Sequence, residues 1–226
     1  MSITLDKVPP ALHNLTKAAA VSLEKHGAAG QKAAVYLVLD HSGSMVPFYN
    51  SGAVQRLAEQ ALGLSANLDD DGVVPVIYFH SRAEKPVDVR LDNYAGAVHS
   101  THSRVMWGST DYAAAIKAVV AEHKKSGATD PAFVIFQSDG EPNDRRAAEK
   151  ELKAASNLPI FFAFVGFGGR VSFLEKLDDL RGRKVDNASF FHAANPHHVT
   201  DAALYDGLTK EYAGWLQDAR QAGIVR

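Results

Sequence analysis

The sequence predicts a doubly wound α/β fold: a mostly parallel central sheet with helices on both faces, preceded by an N-terminal helical extension. Three observations carry this expectation. Short, continuous apolar runs recur at 33–39, 73–79, 132–137 and 160–167, and strands so apolar are expected to be buried on both faces, as in a parallel sheet. Between the runs lie segments whose apolar residues return at helical spacing. Strand and helix alternate about five times, the pattern of a sheet wound in both directions.

Residues 1–30 read as the extension. Pro9-Pro10 stand where a helix start tolerates proline, Leu12, Leu15, Ala19 and Leu23 follow at helical spacing, and His26-Gly27 stop the pattern. The main domain is expected over 31–226. Its first strand, 33–39, leads into a loop carrying Ser42, Gly43, Ser44 and Pro47. Val54, Leu57, Ala58, Ala61, Leu62, Ser65 and Leu68 then form one stripe of a helix, closed by Asp69-Asp70-Asp71-Gly72. After the strand at 73–79, the charge-flanked run 87–91 suits an edge strand, and 94–105 is only weakly helical. Ile116, Val119 and Val120 mark the buried side of a helix near 112–125. A strand at 132–137, a helix at 147–155, a strand at 160–167, a short helix at 172–180 and a last strand at 189–192 follow. One final helix is expected to run on from there, with Leu204, Leu208, Tyr212, Trp215 and Leu216 facing inward.

Composition narrows the function classes. The chain has 226 residues, 46% hydrophobic and 22% charged, enough for one substantial core. A formal net charge of −2 and the lack of a long Lys/Arg run give no pull toward nucleic acid. The chain contains no cysteine, which excludes disulfides, thiolate catalysis and cysteine-based zinc sites. No apolar run reaches the roughly 18–20 residues of a membrane span, and 1–10 lacks the layout of a signal peptide. A cytoplasmic location is the expectation.

Ligands of such a sheet bind in the loops at the carboxyl ends of the strands. The first strand runs out as Asp40-His41-Ser42-Gly43-Ser44, where a carboxylate and two hydroxyls alternate and, in an extended loop, point the same way. The strand at 132–137 ends in Ser138-Asp139-Gly140-Glu141-Pro142, a second carboxylate at the same edge. Between them Trp107-Gly108-Ser109-Thr110-Asp111 precedes a helix and adds a hydroxyl. Every donor is oxygen, which suits magnesium, with calcium or manganese as alternatives, rather than zinc or copper.

Asp40-x-Ser42-x-Ser44, Thr110 and Asp139 together resemble the metal-ion-dependent adhesion site of von Willebrand factor type A domains, in order, spacing and strand-end context. The resemblance covers about 33–226 and implies the Rossmann-like fold of that family. Residues 12–27, 51–56, 69–72 and 204–208 are further similar to the bacterial type A domains of tellurium-resistance (Ter) stress proteins, relatives of the copine domain. The resemblance implies that Ser42 and Ser44 ligate the ion directly, Thr110 directly or through water, and Asp40 and Asp139 largely through waters while accepting hydrogen bonds from the serines. It also implies a non-enzymatic module in a bacterial stress response that captures an Asp or Glu carboxylate of a protein partner. A metal-dependent hydrolase or phosphotransferase on a similar sheet is the alternative. Against it, the first strand ends in Asp-His-Ser rather than an Asp-x-Asp pair, and no phosphate loop or obvious base is present.

His41, Trp107, Asp111 and Glu141 flank the ligand positions and are candidates for a partner-binding rim. His41 could also make the site respond to pH near neutrality. Asp111 reads more readily as a first-turn helix residue, and Glu141, before Pro142, equally as one near a helix start. His192, His197 and His198, like His80, His99 and His102, read as surface or strand-end histidines rather than metal ligands. Gly166-Phe167-Gly168-Gly169 lacks the full dinucleotide fingerprint, and Phe161, Phe162, Phe164 and Phe167 read as core.

Overall fold

Alternating side chains along each strand decide how the layers form. In the computed structural model, which describes residues 3–226, β1 (Ala34–Asp40), β2 (Val73–Phe79), β3 (Val87–Arg90), β4 (Ala132–Ser138), β5 (Ile160–Phe167) and β6 (Ala188–Ala193) form one sheet in the order β3-β2-β1-β4-β5-β6. All neighbours are parallel except β2 and β3. Val35, Leu37 and Leu39 of β1 face one layer, and Tyr36 and Val38 face the other. Both faces are dry, so the strand reads as an unbroken apolar run.

The first layer holds α1 (His13–Lys25), α3 (Ala53–Leu68), α8 (Asp201–Thr209) and α9 (Tyr212–Gln221); the second holds α5 (Tyr112–Ser126), α6 (Arg145–Ala155) and α7 (Ser172–Asp178). Two short helices, α2 (Val46–Asn50) and α4 (Ala97–His102), lie in the connections. The chain leaves β1 toward β2 and β3 and returns on the other side to β4. The carboxyl ends of β1 and β4 therefore meet at the topological switch point, where the diverging connections open a crevice. Asp40 and Asp139 stand there because each lies at the end of one of these strands.

The first two residues of the expected extension lie outside the described part; the rest folds as two short 3₁₀ turns (Leu5–Lys7 and Pro10–Leu12) and α1. Leu15, Ala19 and Leu23 are buried in the same core cluster as α3 and α8. Close approach depends on Gly63, where an added Cβ would lie 2.7 Å from the Leu15 Cβ and 2.8 Å from the Tyr205 hydroxyl. Ser22 donates to Asp206 Oδ1 at 2.7 Å, and Lys25 pairs with Asp206 Oδ2. Gly63→Ala is expected to cost about 1–3 kcal/mol through overpacking. A lower denaturant midpoint at unchanged slope is the readout; an unmoved midpoint would show that α1 does not sit this close.

Two segments differ from the sequence expectation. The single final helix is instead α8 and α9, broken at Lys210-Glu211. The Thr209 hydroxyl donates to the Tyr205 carbonyl at 2.9 Å, a back-bond of the kind that bends a helix. The break lets α8 pack on β6 while α9 sets Tyr212 and Trp215 on Phe133 and Phe161, with ring centroids 4.8 Å and 5.5 Å apart respectively. The loop after β1 is also more ordered than a loop: Gly43–Met45 forms a 3₁₀ turn and Pro47 sits in the first turn of α2.

Candidate metal centre

Strand alternation carries Asp40 toward the α5 face, with Tyr36 and Val38, and Ser138 of β4 points the same way. The Ser138 hydroxyl donates to Asp40 Oδ2, and the Ser42 amide donates to Asp40 Oδ1 at 2.8 Å. Ser42 is still extended, but Ser44 arrives through the 3₁₀ turn rather than by alternation, with its hydroxyl 3.2 Å from that of Ser42. Ser44 then donates to Asp139 Oδ1 at 2.9 Å. Asp40, Ser42, Ser44, Asp139 and Ser138 thus close a ring, completed by the 138–139 peptide bond.

Thr110 enters from the third loop. Gly108 forms a parallel bridge with Ser42, the Asp111 amide donates to the His80 carbonyl at 2.9 Å, and the Thr110 carbonyl accepts from the Asn143 amide at 2.8 Å. Among the described residues its hydroxyl is not part of the hydrogen-bonded ring; the residue is buried, two positions after the Gly108 that bridges to Ser42. Tyrosines brace the loops from beneath: Tyr49 donates to the Asp40 carbonyl at 3.0 Å, and Tyr112 to the Gly140 carbonyl. Ser138, Tyr49, Tyr112 and Asn143 were absent from the sequence-derived set. Only Ser138 carried a signal, its strand parity with Asp40.

The electrostatics are those of a site short of positive charge. Burial lifts the Asp40 carboxyl to about 6, against hydrogen bonds from Ser138 and Ser42, and the neighbouring Asp139 adds to the rise. Burial also raises Asp139, partly offset by Ser44. Among the described residues neither carboxylate enters an ion pair; their partners are Ser138 and Ser42 for Asp40 and Ser44 for Asp139. Two desolvated carboxylates ringed by hydroxyls, with no lysine, arginine or imidazole among the described residues in an ion pair with them, match the donor set of a hard divalent cation. Among the described residues no group of three or more His, Cys, Asp or Glu converges as a metal site, at this centre or away from it; the centre itself offers two carboxylates and hydroxyls. His192 instead sits on the Gly168 and Gly169 carbonyls at 3.0 Å and 3.1 Å.

Of the four rim candidates, the structure leaves Trp107 partly exposed and gives the others internal partners. Asp111 accepts from the Ala114 amide at 2.9 Å and caps α5. Glu141 accepts from the Ser172 hydroxyl and the Phe173 amide, at 3.0 Å and 3.1 Å, serving the first turn of α7, and pairs with Arg145 at 3.2 Å. His41, of opposite parity to Asp40, turns into the α3 face and is fully buried among Tyr49, Tyr78, His102 and Trp107. Burial drives its imidazole down to about 4, so it stays neutral through the physiological range instead of switching near neutrality.

Comparison with known proteins agrees with this architecture. Residues 32–225 match the family model vWA-TerF-like, described as the type A domain found in the TerF C terminus. A Bacillus subtilis (strain 168) protein, the uncharacterized protein YcbR, is 33% identical over 216 residues, spanning 93% of this chain and 88% of that one. Among solved structures, a von Willebrand factor type A protein from Catenulispora acidiphila superposes with a TM-score of 0.58 at 15% identity, over 81% of this chain and 43% of that one. Manganese-loaded TRAP protein of Plasmodium vivax does so at 0.56 and 18% identity, over 80% of this chain and 74% of that one. This chain thus spans less than half of the Catenulispora protein; at these identities the likeness is one of fold. By fold, and by a family model that spans nearly the whole chain, this protein belongs to the TerF-like von Willebrand factor type A family.

Proposed function

We propose that this domain binds a protein partner in a divalent-cation-dependent manner, with the ion held by Asp40, Ser42, Ser44, Thr110 and Asp139. The observation that carries the reading is the ring of two desolvated carboxylates and hydroxyls, with no ion-pair partner among the described residues, placed at the switch point of the sheet. Magnesium is the proposed ion, with calcium and manganese as substitutes; that a manganese-loaded protein shares the fold supports the last. The ion would be held by the hydroxyls of Ser42, Ser44 and Thr110 and the carboxylates of Asp40 and Asp139, and would supply Lewis acidity toward an Asp or Glu carboxylate of the partner. Ser42 and Ser44 present hydroxyls, so little anionic charge touches the ion directly and its appetite for a further carboxylate persists. Asp40 and Asp139 orient those hydroxyls. The arrangement is one of capture rather than catalysis, in keeping with a family of interaction domains.

The TerF-like membership supports a role in the bacterial response to tellurium or other chemical stress. That role runs through protein binding, because a soft metalloid calls for thiols and the chain has no cysteine. Random heptapeptides displayed on phage and selected against the protein in magnesium test the reading. Selected peptides are expected to contain Asp or Glu, to be released by chelator and to be lost with Asp139→Ala. Binders that lack an acid or ignore chelator would overturn it, as would turnover of phosphate or ester substrates abolished by Asp40→Ala.

A further inference from the structure

Among the described residues three large apolar side chains stand well exposed: Val21 on α1, and the consecutive pair Met106 and Trp107, at 69% and 42%. The pair belongs to the loop that delivers Thr110, immediately before the Gly108 that bridges to Ser42. Trp107 is exposed yet fixed. Its ring stacks on the buried His41 ring at 3.7 Å between centroids with 12° between planes, and meets Tyr49 edge-on at 5.4 Å. His41 is held in turn: its Nδ1 lies 3.2 Å from the Met106 carbonyl, an acceptor, so Nδ1 carries the proton and Nε2 accepts from His102 Nδ1 at 3.4 Å. One face of the indole is occupied by this internal stack, and the ring stays partly exposed on the loop that bridges to Ser42.

An exposed tryptophan already ordered by its neighbours loses little freedom when a partner arrives, which is the property of an aromatic anchor. Distance and charge define what lies on it. Consecutive Cα atoms are about 3.8 Å apart and paired strands about 4.8 Å, so the bridge from Gly108 to Ser42 sets the Trp107 Cα within roughly 10 Å of the Ser42 Cα. Two residues of extended peptide span about 7 Å. Arg104, on the same loop, is exposed and enters no ion pair among the described residues, a charge that disfavours a basic partner segment, while the exposed apolar surface of Met106 and Trp107 calls for an apolar side chain.

We propose, on the basis of the carboxylate-capture reading, that Met106 and Trp107 form the second half of the same docking surface. The partner is a segment that carries an aliphatic or aromatic side chain within two residues of its captured acid. This pair sets which acidic segments bind, and the ion sets that they must be acidic.

The same peptide selection, scored for neighbours of the acid, tests this. Aliphatic or aromatic residues are expected to be enriched within two positions of Asp or Glu. For one selected peptide, Trp107→Ala is expected to weaken binding tenfold or more, and Met106→Ser to weaken it less. Both variants should bind the peptide whose apolar neighbour is changed to alanine as the wild type does, and should keep the magnesium-induced rise in melting temperature. Met106→Ser serves if Trp107→Ala disturbs the loop, since the Met106 side chain is mostly in solvent. Acid-containing binders with no apolar enrichment, or equal weakening for both peptides, would overturn the inference and leave carboxylate capture standing. Basic neighbours or self-association blocked by Trp107→Ala would replace it with another occupant. Loss of the magnesium effect in the wild type would instead remove the underlying reading.

Discussion

A saturating excess of magnesium or manganese is expected to raise the melting temperature of the wild-type protein by about 5–10 °C, and Asp139→Ala to abolish the rise. A ligand present at a hundred times its Kd stabilises the folded state by about 2.7 kcal/mol. For a domain of this size each kcal/mol shifts the midpoint by roughly 2–4 °C. Asp139 is the informative position because it is half-buried and the side chain that bonds to its carboxylate is that of Ser44. Its removal unties the ring without opening the core. Differential scanning calorimetry with and without chelator gives the answer. Equal shifts in wild type and variant would place the ion elsewhere.

Asp40→Asn is expected to behave in opposite ways with and without the ion. Burial raises the Asp40 carboxyl from 3.8 to about 6, so the folded state binds more protons than the unfolded one between those values. Stability of the chelated protein therefore falls as pH rises through that window and stays reduced above it. A shift of about two pH units corresponds to roughly 3 kcal/mol at most. Asparagine removes the charge and keeps both bonds: its oxygen accepts from the Ser42 amide, and its amide donates to the Ser138 hydroxyl once that rotor turns. In chelator at pH 7.5 the variant is expected to be about 1–3 kcal/mol more stable than wild type, with the advantage gone below pH 4. In magnesium the order narrows or inverts, because only wild type gains from the ion. Denaturant titrations at both pH values check this; a variant less stable than wild type in chelator at pH 7.5 contradicts it.

The parts of the fold that were legible are those set by local pattern. Strands buried on both faces announce themselves as apolar runs, and the ligand loops follow because Asp40 and Asp139 each end one. Parity along β1 goes further than the spacing alone suggested. It sends Asp40 to the α5 face beside Ser138 and His41 to the α3 face under Trp107, and so takes His41 away from the rim. The features that stayed hidden depend on distant partners. Glu141 caps α7 across 31 residues of sequence, and no local signal distinguishes that role from a rim charge. Ser44 reaches Asp139 through a 3₁₀ turn where alternation suggested an extended loop. The split between α8 and α9 follows from where Phe133 and Phe161 stand in the sheet, while the helical pattern of Leu204, Leu208, Tyr212 and Trp215 runs through the break unbroken.

Crystals grown in manganese, with diffraction collected at the manganese absorption edge, address the ion itself. The arrangement described here predicts one strong anomalous peak among the hydroxyls of Ser42, Ser44 and Thr110, on the side of Asp40 and Asp139 that opens to solvent. The Asp69-Asp70-Asp71 turn supplies an internal comparison, since Asp69 is also raised to about 6 by burial but its side chain accepts the Asp70 amide at 2.8 Å, as a turn requires. A peak at that turn instead, or none at the three hydroxyls, would contradict the assignment of the site and the carboxylate capture built on it.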